Sequence, residues 1–419
     1  LKKVLILGFG ISGIALANYF LEKGVNVHVM DKKPQNEKKG ILFLLEGSHF
    51  ESFEYDLVVF SPGIDKSHYA ILRALKLGIN VQGEAEFSLS LLKKHKIVAV
   101  TGSNGKSTTL MLIHHFLNEG GIKARALGNI GTPLISAVSL LQEDEVIVAE
   151  LSSFQLEGMK EKVFDVGVLL NLTPNHLDRH KTMEAYLLAK LGMLHSMKRE
   201  SCFFVQDKVY YDYESFFKGQ KVHVLKETFD FKIPNHLFPI RSNIFFARAV
   251  AKQFGLSDSV ILKAMDSFKT LKHRLEYVGQ IDGIKCYNDS KSTTIDSTIF
   301  AVEALKENIV LICGGRFKGG SFSKWRDAFL EKVKAVIVIG EAKELISKEL
   351  DGLFPIYIMD TLEKSIEKGL QLAKRGDNLI LSPGCSSLDM FSNFEERGEL
   401  FKRGLERESE RYNTNFSTC

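Results

Sequence analysis

The sequence predicts an α/β protein of three domains, each built on a largely parallel sheet with crossover helices, over residues 1–86, 87–270 and 271–419. Three observations carry this expectation. Short apolar runs recur along the chain and end at turns containing Gly or Pro, and strands that alternate with helices in this way build parallel sheets. Two glycine-rich turns, Gly8–Gly13 and Gly102–Gly105, each follow an apolar run and precede helical sequence. The 419 residues, at roughly 150 per domain, leave room for two to four domains.

In chain order, Val4–Leu7 reads as a buried strand, Ile14–Glu22 as a helix and Val25–Met30 as a second strand. Leu57–Phe60 is another strand, ending at Ser61-Pro62-Gly63. A new unit begins near Gly83, with strands at Ile97–Val100, Val146–Ala149 and Val166–Leu170. From Arg199 to Pro239 the pattern is irregular, rich in aromatics and lysines, and gives no topology. A helix over Ser257–Phe268 leads to the third unit, with strands at Ile309–Ile312, Ala335–Ile339 and Leu379–Leu381. The polar tail from Glu408 to Cys419 is expected to fray.

Composition narrows the function classes. The net charge is only +4, from 55 Lys and Arg against 51 Asp and Glu. That is too little for a nucleic-acid or membrane surface, although local basic sites for an anionic substrate remain compatible with it. No apolar run reaches the 18 or so residues that span a bilayer. Lys2, Lys3 and Ala15-Leu16-Ala17 imitate a signal peptide, but Gly8, Gly10 and Gly13 interrupt the apolar stretch and favour strand-turn-helix. Five cysteines without a CxxC pair fit buried thiols in a reducing, cytoplasmic compartment. No heptad pattern or long apolar patch is evident, so a monomer is expected.

The strongest chemical signal is Thr101-Gly102-Ser103-Asn104-Gly105-Lys106-Ser107-Thr108, directly after an apolar strand. Glycines let backbone N–H groups converge on phosphate oxygens, and the helix that follows adds its positive end. Lys106 can neutralise β- and γ-phosphates, and the Ser107 hydroxyl can ligate Mg²⁺. The common phosphate-loop pattern wants a glycine where Val100 stands. The competing reading is an ordinary glycine turn opening a helix. Glu150 ends the apolar run Val146–Ala149, where a carboxylate can hold Mg²⁺ against phosphates; alone, it would more often be a solvated acid.

Gly8-Phe9-Gly10-Ile11-Ser12-Gly13 lies between strand and helix, and Asp31 follows 18 residues after Gly13. Read alone this is a dinucleotide fingerprint, and it raises the alternative of an NAD-dependent oxidoreductase. The same backbone cradle serves any diphosphate, and a simple dehydrogenase has no use for the second loop at Gly102–Thr108.

The TGSNGKST loop resembles the ATP loop of the Mur ligase family. Glu150-Leu151-Ser152-Ser153-Phe154-Gln155 and Asn171-Leu172-Thr173-Pro174-Asn175-His176 resemble central motifs of its D-glutamate-adding members. The resemblance extends to about Leu405 and is weakest over 199–239. It implies an N-terminal Rossmann-like domain, a central P-loop ATPase-like domain and a C-terminal Rossmann-like domain. It also implies an ATP- and Mg²⁺-dependent ligase that works through an acyl phosphate, with UDP-N-acetylmuramoyl-L-alanine and D-glutamate as partners.

Residue roles follow from that resemblance. Gly10, Ile11, Ser12, Asp31, Lys32 and Gly63 would hold the UDP part, with Asn129, Ser152 and Gln155 also on the substrate. Gly102 to Thr108, Asn129, Asn243, Arg274 and Asp289 would bind ATP. Ser107, Glu150, His176 and a carbamylated Lys190 would hold the metal. Lys106, His176, Lys190 and Lys291 would be catalytic. Thr293, Lys318, Ser387, Leu388 and Phe394 would form the D-glutamate pocket, within motifs such as Leu381–Gly398. Relatives often carry a second asparagine near the adenine; here Phe245 or Phe246 stands in its place. Many also have an acid where Arg316 stands. Bland readings remain for each alone: His176 a surface histidine, Lys190 a helix-surface lysine, Lys291 a solvated lysine, Asn129 a turn residue, and the phenylalanines core.

Overall fold

The computed structural model describes residues 1–33, 38–47, 53–128, 133–175, 177–228 and 231–416. Among these residues three sheets form. The first contains β1 (Lys3–Leu7), β2 (Asn26–Asp31), β3 (Ile41–Leu45), β4 (Leu57–Phe60) and β5 (Asn80–Gly83), in the order β3-β2-β1-β4-β5 and parallel throughout. β1 and β4 lie inside it with every residue of Val4–Leu7 and Leu57–Phe60 buried. A strand buried on both faces reads as a continuous apolar run, which is why sequence located both.

The second sheet contains β6 (Ile97–Thr101), β7 (Ala124–Gly128), β8 (Val146–Glu150), β9 (Phe164–Leu169), β10 (Met197–Gln206) and β11 (His223–Leu225). Its order is β11-β10-β9-β6-β8-β7, again parallel. Of the region from 199 to 239, the stretch up to Leu225 therefore extends this sheet at one edge. Its pairing with β9 shifts register between Met197 and Cys202, which breaks the alternation that marks a strand in sequence.

The third sheet contains β12 (Glu276–Ile281), β13 (Ile284–Asn288), β14 (Ile309–Gly314), β15 (Val333–Ile339), β16 (Ile356–Ile358) and β17 (Asn378–Leu381), in the order β12-β13-β17-β14-β15-β16. It is mixed. β12 and β13 form an antiparallel hairpin through Asp282 and Gly283, both at positive φ, the Asp-Gly pair that tight hairpins favour. The other pairs are parallel.

Two helix expectations change. The first helix starts at Ile11, not Ile14, because Gly10 caps it and its opening turn exposes Ile11, which hides the apolar period. The expected polar tail from Glu408 is helical as far as it is described: the helix Phe394–Phe416 continues to Phe416, with Phe401 and Leu405 buried against the third sheet. Fully burying side chains of this size contributes roughly 1.5–3 kcal/mol each, enough to anchor a long polar helix at its start.

Contacts divide the chain into two compact units, Leu1–Phe229 with Ser242–Ala264, and Asp230–Arg241 with Met265–Cys419. The first two sheets lie in the former and the third in the latter.

Candidate functional site

In the first sheet, Gly8 turns the chain at φ +86° after β1. A Cβ on Gly13 would collide with the Gly8 carbonyl oxygen, so only glycine lets the helix start this close to the strand. Gly10 caps that helix without a side-chain hydrogen bond, leaving the positive helix end to be met from outside. Asp31 closes the cradle from the neighbouring strand: it accepts the Phe9 N–H at 2.7 Å and the Lys33 N–H at 3.0 Å. Ser61 Oγ donates to the Gly8 carbonyl at 3.1 Å from the end of β4. Gly10, Ile11, Ser12, Asp31, Lys32 and Gly63 thus gather at the carboxyl ends of adjacent strands β1, β2 and β4, where open α/β sheets bind ligands.

The second cradle follows β6. Val100, which replaces the glycine of the common pattern, is a fully buried strand residue paired with Glu150 and Val168. Gly102 and Gly105 both adopt positive φ. The loop is braced from the end of β9: Asn171 Oδ1 accepts the Asn104 N–H at 2.9 Å, and its backbone oxygen accepts the Ser103 N–H at 3.0 Å. Lys106 opens the helix Lys106–Glu119 and folds back to donate to the carbonyls of Gly102 (3.0 Å) and Ser103 (2.9 Å).

Asn243 is buried behind this loop. Its amide donates to the Gly105 carbonyl at 3.1 Å and to Thr109 Oγ1 at 3.0 Å, and a Cβ on Gly105 would collide with it. Phe245 and Phe246 are buried core residues.

Beside the loop lies the charged centre. Ser107 Oγ donates to Glu150 Oε2 at 2.7 Å, and both residues are buried. Lys190 is 1% exposed, not a surface lysine. Its Nζ donates to the Gly102 carbonyl at 3.0 Å and lies 4.4 Å from the centre of the Tyr186 ring. Burial, then the nearby Lys106 cation, hold its amine well below the usual lysine range, with Glu150 opposing. Lys190, Lys106, Ser107 and Glu150 therefore surround one loop.

His176 and Asn129 lie outside the described residues. Among the described residues no group of three or more His, Cys, Asp and Glu side chains is arranged so that it could hold a metal ion. Sequence reasoning missed Asn171 as a brace, although its place after a buried strand is visible. It also missed His180, whose Nε2 lies 3.0 Å from Ser153 Oγ and whose ring stacks on Phe154. Ser152 and Gln155 form a capping box for a short helix. Gln155 also lines a cavity of about 250 Å³ with Phe60, Pro62 and Lys66.

In the second unit, the segment after β13 meets the one after β14. Lys318 Nζ donates to Thr293 Oγ1 at 3.4 Å. A bridge pairs Arg316 with Ser386 and brings Ser387 alongside. Arg316 faces Glu341 at 3.3 Å. Lys291 Nζ lies 5.3 Å from the centre of the Phe394 ring. Ser387 is buried, while Leu388 is exposed. Asp289 is buried, with Oδ1 accepting from the Leu275 N–H (3.1 Å) and Oδ2 from Ser382 Oγ (2.7 Å). Burial pushes its carboxyl up to about 6. Arg274 Nε is buried and has no hydrogen-bond partner among the described residues.

Three family models match the chain in order: a Mur ligase MurD-like N-terminal domain over residues 2–83, a Mur ligase middle domain over 100–269, and a Mur ligase glutamate ligase domain over 273–385. The UDP-N-acetylmuramoylalanine–D-glutamate ligase of Protochlamydia amoebophila (strain UWE25) is 35% identical over 436 residues, covering 96% of this chain and 97% of its own. The protein of that name from Caldanaerobacter subterraneus subsp. tengcongensis is 37% identical over 445 residues, covering 96% and 98%. Among solved structures, the MurF ligase of Thermotoga maritima in complex with ADP matches with TM-score 0.59 at 16% identity, over 97% of this chain and 96% of that one. The UDP-N-acetylmuramate-alanine ligase MurC of the same organism matches with TM-score 0.55 at 16% identity, over 97% and 100%. At that identity the structures bear on fold alone. Nothing in these matches supports the oxidoreductase alternative.

Proposed function

The chain belongs to the Mur ligase family, and we propose that it joins D-glutamate to UDP-N-acetylmuramoyl-L-alanine at the expense of ATP in peptidoglycan precursor synthesis. The observation that carries this reading is the second cradle: a glycine loop at a helix N-terminus with Lys106, Lys190 and the Ser107–Glu150 pair packed around it. We assign the UDP substrate to residues 1–86, ATP to 87–270 and the amino acid to 271–419. The working form in this reading is a cytoplasmic monomer. Among the described residues no helix is long and apolar enough to cross a membrane.

A carboxylate is a poor electrophile, so it must first be activated. The muramoyl-alanine carboxylate attacks the γ-phosphorus of ATP, ADP leaves, and an acyl phosphate forms. Lys106 and the backbone N–H groups of the loop balance charge on the transferring phosphoryl group. The D-glutamate amine then attacks the acyl carbon, and phosphate leaves with the amide formed. Lys291 would steady the oxyanion of that step. Thr293, Lys318, Ser387 and the backbone at Phe394 would hold the two carboxylates of the amino acid.

The Ser107 hydroxyl and Glu150 carboxylate are hard oxygen donors side by side at the phosphate loop, a set that fits Mg²⁺. Mg²⁺ bound there would supply charge neutralisation for the phosphates. Lys190 as an ammonium would oppose such a cation, but its depressed pKa favours a neutral amine. A neutral amine can add CO₂ to become a carbamate, which we propose as the form that contributes an oxygen.

The test is phosphate release from ATP with UDP-N-acetylmuramoyl-L-alanine and D-glutamate, each omitted in turn. Release is expected only with all three present, and to be lost when L-glutamate, L-lysine or diaminopimelate replaces D-glutamate. Release that ignores the amino acid would overturn the reading.

A further inference from the structure

One charged side chain of the second unit has no part in the reaction as drawn. Arg397 is fully buried, in the first turn of the helix Phe394–Phe416. Both circumstances disfavour it. A buried guanidinium loses its hydration, and a cation at a helix N-terminus faces the positive end of the dipole. Among the described residues no carboxylate forms an ion pair with it. An apolar side chain of similar volume would serve the core at least as well, so packing alone gives little account of an arginine here.

Its hydrogen bonds give a better one. Nε donates to Ser290 Oγ at 3.0 Å and Nη2 to the Ser290 carbonyl at 2.8 Å. Nη1 and Nη2 donate to the Cys385 carbonyl at 3.3 and 3.4 Å. Ser290 Oγ in turn donates to the Phe394 carbonyl at 2.8 Å. One rigid fork thus ties the turn carrying Lys291 and Thr293 to two segments about a hundred residues further on, the turn carrying Ser387 and the helix start at Phe394. No other side-chain type offers five donors in one plane. Burial lowers the guanidinium pKa to about 10, with the Asp389 and Asp289 carboxylates opposing, so it stays a cation at neutral pH.

We propose that Arg397 is a positioning residue for D-glutamate recognition, fixing the spacing between the groups that meet the two carboxylates. The inference rests on the D-glutamate reading above. The experiment uses full-length Arg397→Met, Arg397→Lys and Ser290→Ala, with thermal unfolding and the KM of each substrate measured alongside kcat. Loosening a positioning network by even an ångström is costly to recognition, so Arg397→Met is expected to raise the KM for D-glutamate about tenfold or more. Arg397→Lys should recover part of that loss, and Ser290→Ala should raise the same KM about threefold. The KM values for ATP and the UDP substrate should stay within about twofold of wild type.

An unchanged KM for D-glutamate in folded variants would overturn the inference, as would a parallel rise for all three substrates. If Arg397→Met does not fold, Ser290→Ala decides by the same criterion. A wild-type enzyme indifferent to D-glutamate would instead overturn the functional reading, and the inference with it.

Discussion

The two glycine cradles of the first unit share a plan and differ in charge. Each follows a buried strand, turns at a positive-φ glycine and opens a helix. The first is fastened by neutral backbone donors to Asp31 and by Ser61. The second is surrounded by Lys106, buried Lys190 and the buried Ser107–Glu150 pair. The difference teaches that backbone geometry says where a phosphate can sit, while the surrounding charges and oxygen donors say whether chemistry can happen to it. In the function we propose, the first cradle holds and the second reacts.

The contrast breaks most readily at Lys106. Lys106→Ala should lower kcat by about a thousandfold or more while leaving binding of the UDP substrate, by calorimetry, unchanged. Substantial residual ligation would remove the second cradle's claim to chemistry. Lys190→Met sharpens the same point from the stability side. It should cost about a hundredfold in kcat and raise the melting temperature measured without ligands.

The sign follows from linkage. The folded-state pKa of Lys190 lies below the ordinary 10.5, so between the two the unfolded chain binds more protons and wild-type stability rises with pH. The methionine variant lacks that slope, and thermal unfolding between pH 7 and about 10 should reveal it. A variant less stable than wild type at neutral pH would count against a neutral buried amine. The smallest effect is expected at the first cradle. Gly13→Ala forces the helix away from Gly8 and should raise the KM for the UDP substrate about tenfold, with the KM for ATP unaffected. A shift in both would mean that the cradles do not act separately.

Sequence made the backbone of this arrangement readable because its signals are local. β1, β4, β6, β8 and β14 are continuous apolar runs, and the two loops are contiguous motifs. What it hid was non-local. Lys190 sits in a helix whose residues are buried almost all round, so no amphipathic stripe marks which side faces the loop. The inward aim of Asp289 and the fork of Arg397 depend on segments 93 and 107 residues away. The Asp282-Gly283 hairpin is a different case, since its signal is local and legible without any distant partner. The register break in β10 explains why the sheet edge that begins there resists reading.

Asn243 belongs to the same compact unit as the phosphate loop, yet it comes after residues 230–241, which belong to the other unit. The polypeptide changes unit at 229, 241 and 264, so no uninterrupted fragment can reproduce either one. A truncation ending at residue 229 would retain every glycine of the second cradle and still lack the amide that wedges it from behind. For protein engineers, weakened nucleotide affinity in such a fragment would reflect a missing strut and would say nothing about the loop itself.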